Sequence, residues 1–430
     1  MRHLIIAGLL CSGLPLPAFA EDTALLDRLD ASRIVAISDG DFVGSTYADG
    51  VLAPEAAGHR DVLSVLTRSA DGWIRAELEL SNSVTAAPEI LALDSTGRWA
   101  FVAERLAGRQ AGDQTAADLS PGRRVFAVDL EDPAAPRLAF ETEVMDFPEA
   151  LAVSPDGRSI AVVGGSGDDA RIDILPFGPD GFGTALRAEL NTLGVDGALA
   201  PLAVTNVHWH PDGNRIAVNL NRQDSVALLE ILPEGLRLIG TPAPTGTDPF
   251  VGRFAAGGRY YVTANWGRDF TAQTVTGRLP DRPSTLSVLA VEDSGLIALG
   301  RAETGESAEG IAVSPDGGLI ATVNMDGTSL PGDRFSRFGT IGLFRLSDQG
   351  TLDPLGLYQL EGVLPEGGTF DATGRHFLAT VFHGHEDATP DTGAGLEVFE
   401  VDPTAGPRGA LTAVGRIVMP HGVHHVAIQP

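Results

Sequence analysis

The sequence predicts an all-β protein, a ring of seven four-stranded blades, and two observations support this. One is a short unit, typified by residues 151–165, LAVSPDGRSIAVVGG, that recurs along the chain. The other is its spacing, because the six glycines that mark the turn of the unit lie 45 to 60 residues apart. A repeat of this length, with strands but no helical pattern, is typical of a β-propeller in which each repeat forms one blade.

Within each unit, an apolar strand, a turn and a second apolar strand follow one another. The turn at residues 154–157 reads SPDG, and this composition favours a strand reversal because proline presets φ and aspartate bonds the local backbone. Alternating apolar runs such as residues 170–175 and 225–231 predict the third strand. Segments such as residues 235–240 predict the fourth, outer strand of the blade.

The first and last strands predict how the ring closes. Residues 33–38, RIVAIS, match the second strand of the unit, so the first blade lacks its opening strand. Residues 426–430, VAIQP, align with the first strand of the unit at residues 151–155. We therefore expect the C-terminal strand to complete the N-terminal blade, which removes the exposed sheet edges of an open ring.

Two stretches of the repeat resemble a known family. Residues 261–265 read YVTAN and residues 311–317 read IAVSPDG, and they look like the YVTN and lactonase-like seven-bladed propellers. The resemblance covers roughly residues 33–430, and its motif marks a blade turn. For function, the resemblance implies a lactonase, in which a small set of His, Glu and Arg residues lies on one face.

The N-terminus predicts export. A basic start, an apolar run at residues 4–16 and the sequence AFA at residues 18–20 indicate a secretory signal peptide over residues 1–20, too short to span a membrane. Cys11 lies in a run that weakly resembles a lipoprotein box, so lipoprotein processing stays open beside cleavage after Ala20. An acidic leader at residues 21–32 and a propeller at residues 33–430 follow, and we expect a periplasmic or secreted protein without membrane insertion.

The composition excludes several classes of function. The chain has 57 acidic and 30 basic residues, a formal net charge of −27, and such an acidic protein repels nucleic acid. It contains no lysine, and its one cysteine lies in the predicted signal peptide. Schiff-base chemistry, a thiolate nucleophile and a disulfide framework are therefore excluded from the mature protein.

We expect the binding site on the face where the second strand of each blade ends, because five long loops gather there. Loops of this kind on a rigid scaffold commonly carry function. Trp266 and Arg268, on one of these loops, could stack on a small-molecule ring or could equally pack under the loop. The long loops are residues 38–60, 104–124, 266–283, 325–338 and 382–395.

Two groups of residues are candidate metal sites. Alignment of the repeats places glutamates at one position near the channel mouth, where they could bind Ca²⁺ or simply pair with arginines and backbone amides; these are Glu89, Glu149, Glu309 and Glu366. A second group, beside the closing strand, has the residue types that Zn²⁺ prefers. Its members are His383, His385, Glu386, His421 and His424, and they could equally be histidines bonded to the backbone.

These features predict an exported propeller that binds a small molecule or a protein partner on its long-loop face. The alternative is a lactonase-like hydrolase, with a divalent metal such as Ca²⁺ or Zn²⁺ as a candidate cofactor. A purely structural interaction module is a third reading, because fold alone does not decide among these functions.

Overall fold

The computed structural model describes residues 17–83, 89–195 and 201–430. These residues form seven antiparallel sheets, each built on a path of four strands. The innermost strands of all seven sheets line one central channel. The prediction of an all-β, seven-bladed propeller is confirmed.

The secondary structure of the described residues is almost entirely strand, with three α-helices and a few single 3₁₀ turns. The helices are α1 (Pro17–Leu26), α2 (Thr46–Asp49) and α3 (Val275–Arg278). The strands are β1 (Arg33–Ser38), β2 (Val62–Ser69), β3 (Gly72–Glu79), β4 (Leu91–Leu93), β5 (Trp99–Leu106), β6 (Pro121–Asp129), β7 (Arg137–Glu143), β8 (Pro148–Val153), β9 (Ser159–Gly164), β10 (Arg171–Gly178), β11 (Gly181–Phe182), β12 (Leu186–Glu189), β13 (Val204–Trp209), β14 (Arg215–Leu220), β15 (Ser225–Leu232), β16 (Gly235–Leu238), β17 (Ala243–Pro244), β18 (Pro249–Ala255), β19 (Tyr260–Asn265), β20 (Thr285–Glu292), β21 (Gly295–Glu303), β22 (Ala308–Val313), β23 (Leu319–Asn324), β24 (Phe338–Leu346), β25 (Leu352–Glu361), β26 (Gly368–Phe370), β27 (His376–Val381), β28 (Gly395–Val401), β29 (Leu411–Val418) and β30 (Val423–Gln429).

The blades follow the chain in order. Blade 1 contains β30, β1, β2 and β3 from the centre outwards, and the later blades take β4–β7, β8–β12, β13–β17, β18–β21, β22–β25 and β26–β29. In blade 1, β30 pairs antiparallel with β1, and Ala36 lies opposite Val426. The predicted ring closure is therefore confirmed, with a closing strand that begins at Val423, three residues earlier than expected.

In two blades, the hairpin turn is shaped by one serine and one aspartate. In blade 3, the Ser154 hydroxyl donates to Asp156 Oδ1 at 2.6 Å, and the Ser159 amide donates back to Ser154 Oγ at 3.0 Å. Blade 6 repeats the arrangement with Ser314 and Asp316 at 2.5 Å. The SPDG motif thus shapes the turn between the first and second strands, as the sequence predicts.

The predicted leader packs on the propeller, and we call residues 22–32 the N-terminal strap. Helix α1 packs against β29 of blade 7 and β3 of blade 1. Leu26 and Leu29 are buried, and Trp73 Nε1 donates to Asp27 Oδ1 at 3.1 Å. The strap therefore covers the seam between the last blade and the first.

The predicted signal peptide, residues 1–20, lies mostly outside the described residues, which begin at Pro17. Its last residues belong to α1. Among the described residues, every helix is too short or too polar to cross a bilayer.

Candidate functional site

The long loops between second and third strands lie on one face, as predicted, and they pack together over the channel mouth. We call four of them the loop cap: residues 39–61, 107–120, 266–284 and 325–337. Helix α2 in the first loop packs against α3 in the third. The Leu52 amide donates to the Gln114 carbonyl at 3.0 Å, and the Arg334 guanidinium donates to the Leu279 carbonyl at 3.1 Å. The cap therefore covers this end of the channel.

β-Bulges aim side chains toward this covered end. In the innermost strand of five blades, one residue is skipped by the ladder to the second strand. A bulge of this kind bends the strand and re-aims the extra side chain, which explains why residues at one repeat position meet around the channel. The five residues are Glu149, Thr205, Phe250, Glu309 and His424.

Beneath the cap, Glu309 of blade 6 and Glu366 of blade 7 are buried carboxyl groups. Tyr47 of the cap donates its hydroxyl to Glu366 Oε1 at 3.0 Å, while Glu309 Oε2 has no hydrogen-bond partner among the described residues. Burial raises the pKa of Glu309 to about 8, with Arg268 opposing. Burial, followed by the charge of Glu309, raises the pKa of Glu366 well above its usual range. Both groups therefore favour the protonated state near neutral pH.

Of the other predicted site residues at this end of the channel, Glu149 and Arg268 each form an ion pair. Glu149 accepts two hydrogen bonds from Arg105, at 3.0 and 2.8 Å. Arg268 donates to both oxygens of Asp248, at 2.7 and 3.0 Å, and its guanidinium lies 4.1 Å from the ring centroid of Trp266. Trp266 is only 1% exposed. Trp266 and Arg268 therefore pack beneath the cap, which is the second of the two predicted arrangements, and they do not form an exposed stacking surface.

The channel is accessible from the opposite face, where the hairpin turns lie. A chamber of about 730 Å³ occupies the channel there, and its rim includes Ser95, Pro155, Pro211 and Pro315. Its wall consists largely of the innermost strands, and its surface is about equally polar and apolar. This volume is in the range of pockets that hold small molecules.

The inner end of the chamber carries an ion pair that crosses the channel. The Arg253 guanidinium of blade 5 pairs with Glu89 Oε1 of blade 2, on opposite sides of the seven-membered ring. His425 Nε2 of blade 1 lies 3.2 Å from Glu89 Oε2. The three side chains are 20%, 11% and 9% exposed, so they are largely desolvated but reachable from the chamber.

A second histidine joins this set from the wall of the chamber. His208 lies on β13, and its Nδ1 is 3.1 Å from the Trp209 carbonyl oxygen. Burial, together with the neighbouring Arg253 guanidinium, lowers the pKa of His208 to about 3. The ring is therefore neutral over the ordinary pH range and can act as a hydrogen-bond partner for a bound molecule.

The sequence prediction included Glu89, but it missed Arg253 and did not place His425 beside Glu89. A signal for Arg253 was present in the repeat, because its position in the innermost strand is alanine in four other blades. These alanines are Ala92, Ala152, Ala312 and Ala427. A charged residue at a position that is alanine in four other blades indicates a role inside the channel.

The four glutamates do not form one cation site, because Glu89 and Glu149 are each paired with an arginine. The second predicted metal set does not provide three ligand atoms close enough for one ion among the described residues, although the rings of His383 and His421 stack 5.3 Å apart. The set is His383, His385, Glu386, His421 and His424. Four of these residues use a ring nitrogen to bind the protein itself. Their partners are the Gly44 amide, the Arg337 carbonyl, the Phe42 carbonyl and the Asn82 side chain.

Within the described ranges, one other group has metal-ligand spacing. Asp39, Asp41 and Asp61 each bring a carboxylate oxygen within 4.8 Å of the other two, so this triad could hold a metal ion. Its oxygens also accept protein hydrogen bonds, such as that of the Gly40 amide to Asp61 Oδ1 at 2.8 Å. The sequence prediction missed this set, since its members flank a long loop.

Solved structures of other proteins are similar to this chain in fold. No protein-family profile and no curated protein matches the chain. A periplasmic gluconolactonase of Pseudomonas aeruginosa, PpgL, is similar in structure, with 17% identity, a TM-score of 0.61, and coverage of 92% of this chain and 99% of that one. A protein of Bacteroides fragilis named as a candidate 6-phosphogluconolactonase has 16% identity, a TM-score of 0.62, and coverage of 93% and 98%. At these identities the similarity shows the propeller fold alone.

Proposed function

We propose that the protein is an exported hydrolase that opens the ring of a small lactone inside the chamber. The observation that carries this proposal is the set of Glu89, Arg253 and His425 at the inner end of an open cavity. A concave pocket with a few convergent polar groups is the usual form of a small-molecule site.

Lactone hydrolysis needs a group that stabilises negative charge, a general base and a general acid, and this set can supply all three. Water adds to the lactone carbonyl, the ring C–O bond breaks, and the product is an open-chain hydroxy acid. Arg253 supplies positive charge where negative charge develops on the carbonyl oxygen. The pair of His425 and Glu89 can take the proton from water and return it to the leaving ring oxygen. No step requires a metal ion.

The comparisons support the proposal at the level of the fold. One structural neighbour is named as a periplasmic gluconolactonase, and the predicted signal peptide supports export of this chain. The geometry adds what the fold cannot, namely which residues of this chain face the cavity.

A panel of five- and six-membered lactones tests the proposal, with acid release as the readout. Arg253→Met keeps most of the side-chain volume and removes the charge, and we expect it to lower kcat/KM about 100-fold. Arg237→Met is the matched control, because Arg237 pairs with Glu230 on the outside of blade 4. Turnover that Arg253→Met leaves unchanged, or no turnover of any lactone, contradicts the proposal.

Binding of a ligand or protein partner on the long-loop face stays a prediction. The described residues of the cap leave two large apolar side chains exposed there, Val51 at 49% and Phe335 at 53%. The accessible concave site lies at the other end of the channel, which is why we place the function in the chamber.

A further inference from the structure

One position of the repeat places a ring of seven side chains around the chamber. It is the middle residue of the apolar run that precedes the turn, and four blades have alanine there. Blade 7 contributes Thr369, blade 4 contributes His208 and blade 5 contributes Arg253. His208 and Arg253 are therefore the two large polar side chains at this level of the channel, and they come from adjacent blades.

The hydrogen bond of His208 to its own strand fixes where the ring hydrogen lies. Nδ1 is 3.1 Å from the Trp209 carbonyl oxygen, and a carbonyl only accepts, so Nδ1 carries the hydrogen. In a neutral imidazole the other nitrogen, Nε2, then has a lone pair and no hydrogen. The ring also lies beside Phe254, with ring centroids 5.9 Å apart. His208 Nε2 is thus a hydrogen-bond acceptor held in one place.

This acceptor is free to meet a bound molecule. Nε2 makes no hydrogen bond to the residues that the structure describes, and it is not one of their buried unpaired atoms, so it faces the chamber. Other polar groups of the wall already have partners: Trp209 Nε1 donates to the Ala152 carbonyl at 2.9 Å, and Gln429 Nε2 donates to the Ser95 carbonyl at 3.1 Å. A molecule that displaces water from His208 must therefore offer it a hydrogen-bond donor.

Arg253 offers the complementary group beside it. A guanidinium has five N–H groups, and the described partners of Arg253 are the Glu89 carboxylate and the Gly252 carbonyl. N–H groups remain that can donate to a ligand oxygen, such as the carbonyl oxygen of a lactone. An acceptor and a donor side by side match a ligand with a carbonyl and a hydrogen-bond donor on neighbouring carbons.

We propose that His208 selects lactones that carry an uncharged hydrogen-bond donor, a hydroxyl or an acylated amine, on the carbon next to the carbonyl. The role of His208 rests on the proposed function, since Arg253 must hold the lactone carbonyl oxygen. The neighbouring hydroxyl or amide N–H then donates to His208 Nε2, and the two contacts together orient the carbonyl in the chamber. His208 determines specificity and takes no part in proton transfer.

The charges at this level disfavour ionic substituents at the same carbon. A carboxylate or phosphate oxygen would bring its lone pairs against the lone pair of Nε2. The ammonium group of a free amine would lie beside the Arg253 guanidinium, and like charges repel. Burial, followed by the charge of Arg253, lowers the pKa of His208 to about 3, so the ring keeps its acceptor over the ordinary pH range.

Hydrolysis of matched γ-butyrolactones by the purified protein tests this selectivity. The α-hydroxy and α-methoxy lactones both carry an oxygen that activates the carbonyl, but only the α-hydroxy lactone has a donor. One hydrogen bond predicts that kcat/KM is about 10-fold higher for one enantiomer of the α-hydroxy lactone than for the α-methoxy lactone. The α-acetamido lactone and its N-methyl derivative form a second pair, which distinguishes an amide donor from a hydroxyl. Ratios near one for both pairs overturn the proposal.

Three variants assign the preference to His208. His208→Phe keeps a ring without an acceptor and should bring the ratio within each pair to near one, whereas His208→Gln keeps an acceptor oxygen and should restore part of the preference. Thr369→Val is the matched control, because Thr369 occupies the same repeat position in a blade that is not adjacent to Arg253. If His208→Phe lowers kcat for both members of a pair alike and leaves their ratio unchanged, His208 does not determine specificity.

Cyclic amides separate the role of His208 from the proposed hydrolysis. 2-Pyrrolidinone and its 3-hydroxy derivative resist hydrolysis and differ in one donor, so NMR titration compares their dissociation constants directly. If no lactone is hydrolysed, the proposed function fails, but about 10-fold tighter binding of the hydroxy amide that His208→Phe abolishes still supports the selectivity. In that event, equal affinities or no binding of either amide overturn it.

Discussion

Arg253 and Glu89 form an ion pair across the central channel, from blade 5 to blade 2. Both side chains line the open chamber, whereas Glu309 and Glu366, buried beneath the loop cap, do not. Arg253 occupies a position at which four other blades contribute alanine, so its side chain reaches into the channel where theirs do not. The propeller therefore holds two distinct polar environments along one axis.

Because Arg253 and Glu89 form an ion pair, substitutions at the two positions should have coupled effects on the free energy of unfolding. Glu89→Gln leaves Arg253 largely buried without its partner, and we expect a loss of about 2 to 4 kcal/mol in the free energy of unfolding. Arg253→Met should cost a similar amount, and the double variant should cost less than the sum of the two. Urea unfolding of all four proteins measures the coupling. Additive effects would show that the two side chains do not interact.

The buried acids under the cap predict a loss of stability in alkali. The pKa of Glu309 is raised in the folded state to about 8, so its contribution is present below the unfolded value near 4.5 and is lost as pH rises toward 8. We expect the free energy of unfolding to decrease over this range, and Glu309→Gln to flatten the decrease. Denaturant unfolding at pH 5, 7 and 8.5 measures it. Glu149→Gln is the control, because Glu149 is paired with Arg105.

The N-terminal strap predicts that ring closure depends on residues outside the blades. Leu26 is completely buried against the seam between blades 7 and 1, and Leu26→Ala should lower the free energy of unfolding by about 2 to 5 kcal/mol. Leu357→Ala is the matched control, since Leu357 on β25 is 55% exposed. Chemical unfolding compares the two. Equal effects would mean that the strap does not stabilise the closed ring.

The sequence predicted the fold well because the repeat carries its own local signals. The SPDG turns, the alternating strands and the unmatched first and last strands are all encoded within a few residues of one another. The candidate site was predicted only in part. The shared repeat position brought Glu309 and Glu366 to the same end of the channel, but the bulges that aim such side chains depend on strand pairing. Partners from distant blades, such as Arg253 for Glu89 and Tyr47 for Glu366, have no local signal.

A substitution at Gly422, just before the closing strand β30, is the most direct test of how blades 7 and 1 are joined. Gly422 precedes β30, and its amide donates to the Phe382 carbonyl of blade 7 at 2.8 Å. Its φ is +84°, and a Cβ there would lie only 1.7 Å from the carbonyl oxygen of Asp39. Gly422→Ala therefore adds a backbone clash to the strain of a positive φ, and the clash falls where blades 7 and 1 join.

Gly406 separates the two contributions. Its φ is +73°, but a Cβ there would meet no atom within 4 Å, so Gly406→Ala measures the strain alone, about 1 kcal/mol. We expect Gly422→Ala to cost at least about 2 kcal/mol more, because close-packed backbone cannot move aside. Thermal and urea unfolding of the two variants give the difference. If Gly422→Ala is no more destabilising than Gly406→Ala, the contact between Gly422 and Asp39 does not hold the closing strand in place.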